Sequence, residues 1–160
     1  MDAKPKVVAA IYEDFKESYA GLPRFLARLK DASSGTKYKL LVDDNYERGT
    51  CTFKSIFWAF RPCIVGFKYC RPMISIDANH LYGKYTGKLM IVMATNANNK
   101  IYPLAFAVVE SKSTETWGWF LACIRRYVTN RSKLYVISDR HPGIQAIFKK
   151  TLIETFCSLP

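Results

Sequence analysis

At 160 residues, with 49% hydrophobic and 14% aromatic content, the chain is long enough to bury a core and too apolar for a disordered basic tail. Its formal charge of +11 is uneven: residues 51–160 hold fifteen Lys and Arg against five acids, so +10 of it lies there and a nucleic-acid partner follows. No run approaches the roughly twenty apolar residues of a membrane span, the N-terminus has no long apolar signal region, and five cysteines without C-x-x-C spacing suit free thiols and exclude a structural zinc site.

Val8, Ile11, Tyr12, Phe15 and Tyr19 form one apolar stripe at helical spacing, and Gly21 stops that helix. Leu22-Pro23 opens a second helix carrying Phe25, Leu26 and Leu29, ended by Ser33-Ser34-Gly35. Tyr38 to Val42 reads as a short strand and Asp43-Asp44-Asn45 as a turn. Residues 1–50 are thus expected to be an N-terminal helical region, and residues 51–160 the main unit. In the latter, Phe53, Ile56, Phe57, Phe60 and Ile64 repeat the helical stripe and predict a third helix. Arg71 to Asp77 predicts a strand, Gly83 to Gly87 a glycine-punctuated link, and Lys88 to Thr95 a second strand. Asn96 to Asn99 is a tight turn into a third strand, Ile101 to Val109, and such short links imply an antiparallel meander. A helix from Thr114-Glu115 carries Trp117, Phe120, Leu121, Ile124 and Val128 on one face. Leu134 to Ser138 is a fourth strand, and a helix follows from Pro142 with Ile144, Ile147, Phe148, Leu152 and Phe156 inward.

Two of these strands run apolar and then meet a carboxylate, Asp77 in one case and Asp139 in the other, in a segment that is sparing with acids. The expected architecture is α/β: a three-stranded antiparallel meander, a crossover helix, a fourth strand parallel to the first, and a helix. That order opens an RNase H-like fold, in which the first and fourth strands are neighbours. With strands ~4.8 Å apart, Asp77 and Asp139 could share divalent metal ions beside a polyanion.

The stretch from Gly66 to Leu89, with Asp77-Ala78-Asn79-His80-Leu81-Tyr82-Gly83 at its centre, resembles the transposases of plant Mutator-like (MuDR-type) elements. So do Tyr102 to Glu110, Trp117-Gly118-Trp119-Phe120-Leu121, and Ile137-Ser138-Asp139-Arg140-His141-Pro142-Gly143-Ile144. The resemblance implies a nuclear DDE nuclease that cleaves DNA and transfers strands with two Mg2+ or Mn2+ ions. Asp77 and Asp139 match its first two catalytic, metal-holding carboxylates. It also places a third carboxylate, a glutamate, on a later helix beyond Pro160, so the core is expected to be C-terminally truncated and its catalysis impaired. Among internal substitutes, Glu154 lies ~18 Å along the last helix, Glu110 two strands from Asp77, and Glu115 at a helix start where capping explains it equally well.

Lys84, Lys88, Arg125, Arg126, Lys133 and Arg140 are candidate DNA-backbone contacts, with weight only as a cluster. His80 and His141 flank the aspartates and read first as structurally hydrogen-bonded or solvent-facing. Expected partners are DNA and, through the resemblance, another copy or a full-length transposase. The alternative function is a non-catalytic, transposase-derived DNA-binding or regulatory protein.

Overall fold

The computed structural model describes residues 21–45, 50–82, 87–139 and 141–156. The stripe from Val8 to Tyr19, the link at Lys84 and the position of Arg140 lie outside them. Helix α1 covers residues 21–32. Then come β1 (Lys37–Asn45), β2 (Thr50–Ala59), the short α2 (Arg61–Gly66) and a 3-10 turn (Phe67–Tyr69). β3 (Met73–Leu81), β4 (Gly87–Thr95), β5 (Ile101–Val109), α3 (Thr114–Tyr127), β6 (Tyr135–Ser138) and α4 (Pro142–Phe156) follow. The strands form one mixed sheet in the order β1-β2-β5-β4-β3-β6. Its pairs are antiparallel except β3 with β6, which run parallel after the α3 crossover.

The expected meander and crossover are therefore present, but the third helix is not. Phe53, Ile56 and Phe57 lie on β2, and only Ile64 falls in a helix, α2. The physical reason is burial from both sides. Ile56 and Trp58 face α1, while Phe57 and Ala59 face the core beneath α3. A strand covered on both faces reads as a continuous apolar run, which can match a helical stripe by chance. The turn expected at Asp43-Asp44-Asn45 is likewise strand: β1 continues to Asn45, pairs with β2 through a bulge between Leu41 and Val42, and places Asp43 2.9 Å from Lys54. The sheet thus runs across residue 50.

The core lies between the sheet and α3. Trp117, Phe120 and Ile124 are fully buried against Phe57, Ile74, Ile76, Met90 and Val92, with ring contacts Phe57–Phe120 and Trp117–Phe120 both at 6.1 Å. Each such side chain contributes roughly 1.5–3 kcal/mol by leaving water. Ser113 starts α3: its Oγ accepts the Thr116 N–H at 3.1 Å. Pro103 sits inside β5 beside a register shift at Val92/Met93, where a missing backbone donor is tolerated. Asn99, in the left-handed region at φ 57°, closes the β4–β5 turn, and Asn96 Oδ1 accepts the N–H groups of Asn98 and Lys100. Among the described residues, no helix is long and apolar enough to cross a membrane.

Candidate active site

The β3–β6 register ends at Ile76 opposite Ser138. The next residue of β3 is Asp77 and the residue just past β6 is Asp139, so the two follow matched positions on neighbouring parallel strands, ~5 Å apart by strand spacing. Side-chain alternation fixes the face. Ile74, Ile76 and Ala78 point into the core, so Asp77 points to the opposite side with Met73 and Ser75. Asp139 continues the alternation of Tyr135 and Ile137 on that same side. Both carboxylates are exposed.

Asp77 is not at a strand end, as the sequence suggests, but in the middle of β3, which runs four residues further to Leu81, paired only with β4. The Pro72 carbonyl accepts the Tyr135 N–H, so even-numbered residues of β3 turn their backbone groups toward β6. Ala78 is the first of these beyond the paired register. Its N–H donates to Asp77 Oδ1 at 2.7 Å, so the aspartate satisfies an amide left over where β6 stops.

Asp139 Oδ1 accepts a long hydrogen bond, 3.4 Å, from the His141 N–H. The cap of α4 is made by His141: its Nδ1 accepts the Gly143 N–H at 3.1 Å, and its carbonyl accepts the N–H groups of Ile144 and Gln145. Its ring packs on Trp117, 6.1 Å between centroids, and a Cβ at Gly143 would press on both rings at 3.2 Å. His141 is therefore held in a structural role, and Asp139 has only the long contact to its N–H.

The other candidates are not brought to the pair. Glu110 follows Val109, which pairs with Lys88 and through it with His80, so it lies about 16 Å from Asp77 by strand rise and spacing. Glu115 begins α3 on the other face of the sheet, where a hydrogen bond from Ser113 and the local backbone hold its carboxyl below the ordinary range. Residue 154 is carried away along α4, and its side chain is outside the described residues. Lys88 sits at the carboxylate end with its ammonium on the His80 ring, 2.9 Å from Nε2, and His80 stacks on Tyr82. Arg125 and Arg126, in the last turn of α3, and Lys133, just ahead of β6, lie at the opposite end of the sheet. Among the described residues no set of three His, Cys, Asp or Glu side chains converges on one point.

An α/β sheet with two carboxylates at matched positions on parallel strands is the class of molecule this geometry defines. The family model of the MULE transposase domain matches residues 73–156, more than half of the chain and the whole of the β3–α4 unit. The chain belongs to that family. No curated protein and no solved structure matches it.

Proposed function

We propose that the chain carries the catalytic core of a Mutator-like DNA transposase on an RNase H-like frame, acting on DNA in the nucleus, with Asp77 and Asp139 as its metal-holding residues. The observation that supports the reading is the parallel β3–β6 register, which ends one residue before each of these two exposed carboxylates. The donor set fits: exposed carboxylate oxygens are hard ligands, and Mg2+ or Mn2+ is commonly held by one or two of them together with substrate phosphate oxygens. When bound, such ions supply Lewis-acid charge and an activated water for phosphodiester hydrolysis. The chain's own part is positional. Ala78 N–H fixes one oxygen of Asp77 and His141 N–H steadies one of Asp139, leaving the second oxygen of each for the ions.

With only two converging acids among the described residues, this core is expected to cleave weakly. The test is nicking of supercoiled plasmid by the purified chain with Mn2+. Slow nicking should fall at least 100-fold in both Asp77→Asn and Asp139→Asn. Equal nicking by all three proteins would remove the roles given to these residues. A second reading, a non-catalytic DNA-binding protein, is favoured by the +10 carried by residues 51–160. Its signature is salt-sensitive DNA binding by a chain that never nicks.

A further inference from the structure

The charge of the β3–α4 unit is divided between the two ends of its sheet. Asp77, Glu110, Glu115 and Asp139 lie toward the end where β3, β5 and β6 finish, with Lys88 and Lys112 among them. The opposite end, where β3 and β6 begin and β4 finishes, carries Lys68, Arg71, Lys100, Arg125, Arg126 and Lys133, all exposed. Among the described residues the one salt bridge is Lys54–Asp43, so none of these cations is neutralised by a described carboxylate.

These segments are held together as one surface. Arg71 N–H donates to the Thr95 carbonyl (3.1 Å) and Tyr135 N–H to that of Pro72 (2.9 Å), tying the ends of β4, β3 and β6. Arg131 reaches from the α3–β6 loop to the carbonyls of Lys68 (2.8 Å) and Cys70 (3.3 Å) with its guanidinium over the Phe67 ring, and Arg125 donates to the Arg131 carbonyl. The helix dipole accounts for Arg125 and Arg126 in the last turn of α3. It does not account for Lys68, Arg71, Lys100 or Lys133, which sit outside any strand or α-helix.

We propose that this end is a second nucleic-acid surface that grips the phosphate backbone of duplex DNA, separate from the carboxylate pair. Four residue steps from Met73 to Asp77 put it ~13 Å or more from the carboxylates. The tips of four neighbouring strands span about 14 Å, a length over which duplex DNA presents about eight phosphates. A duplex suits it better than a single strand, which needs free aromatic faces to stack on. At this end the exposed rings are Tyr69, with the Lys68 ammonium 4.7 Å over one face, and Tyr135 on a separate segment, fewer than a run of stacked bases requires. DNA held here is out of reach of the carboxylates, so the surface governs retention and not the choice of bond.

The inference rests on the transposase reading only for taking DNA as the polyanion. Its test is fluorescence anisotropy of a labelled 20-base-pair duplex of arbitrary sequence, in EDTA, over a KCl series. The Lys68→Ala/Arg71→Ala/Lys133→Ala variant is expected to bind at least tenfold more weakly, with the slope of log K against log[salt] shallower by about 2.7. Lys68 and Arg71 hydrogen-bond within the fold through backbone groups, and the Lys68 ammonium touches only the exposed Tyr69 ring, so circular dichroism should be unchanged. If it is not, Lys100→Ala/Lys133→Ala serves, with an expected slope change of about 1.8. Unchanged affinity and slope would overturn the proposal, as would tighter binding of single-stranded DNA or RNA of the same length through these residues. Because EDTA removes divalent ions, the result stands apart from whether Asp77 and Asp139 support nicking.

Discussion

Asp77 has a backbone duty as well as a charge, and substitutions separate the two. Asparagine keeps an oxygen for the Ala78 N–H, whereas alanine leaves that buried amide without its acceptor. Asp77→Asn should leave stability nearly unchanged, and Asp77→Ala should cost about 1–3 kcal/mol in urea unfolding. Equal stabilities would mean that the 2.7 Å hydrogen bond does not matter. Cys123 gives a pH signature: burial pushes its thiol up to about 11 from 9.0, against weaker opposing pulls from Lys39 and Arg126. The unfolded chain sheds that proton near pH 9 and the folded chain only near 11. The thiol's contribution is therefore whole below about pH 9 and lost as pH rises toward about 11. Unfolding midpoints over this window should fall more steeply for the parent than for Cys123→Ala. Gly66 is similarly committed, since an added Cβ would lie 2.1 Å from the Tyr102 hydroxyl, which donates to the Pro62 carbonyl. Gly66→Ala is expected to destabilise by about 1–3 kcal/mol, with partial recovery on adding Tyr102→Phe, as chemical denaturation would show.

Elements differed in how far their sequences betrayed them. The meander was legible because each link is short and β4 and β5 are bounded by turn residues. α3 was legible because it has one wet face, with Arg125 and Arg126 exposed, and one dry face bearing Trp117, Phe120 and Ile124. β2 was not, because α1 and the core cover both of its faces and erase the alternation that marks a strand. β1 was read too short because Asp43 and Asp44 look like turn residues, yet a cross-strand partner such as Lys54 lets an aspartate end a strand. The cap of α4 was not legible in the sequence. Histidine is an uncommon cap, and only the geometry assigns it to His141. Ser113→Ala should cost about 1 kcal/mol by removing the corresponding cap of α3, measurable in thermal melts against the parent.

At the scale of the whole molecule, the two carboxylates could be read from the chain because each follows an apolar, β-branched run and the fold class brings those runs together. Their shared face and the overhang of β3 beyond β6 could not, since both depend on where β6 stops. The division of charge was equally hidden: Arg125, Arg126 and Lys133 look interchangeable with Lys88 along the sequence, and the topology sends them to opposite ends. That division has a kinetic consequence. With four acids against Lys88 and Lys112 at one end and uncompensated cations at the other, the described residues carry an electric dipole along the strands, and the field of a polyanion turns such a body before contact. Encounters with DNA should therefore begin cationic end first, with the carboxylate end trailing away from the phosphates. Stopped-flow association rates should drop several-fold between low and physiological ionic strength, and that dependence should weaken if Lys68, Arg71 and Lys133 are neutralised.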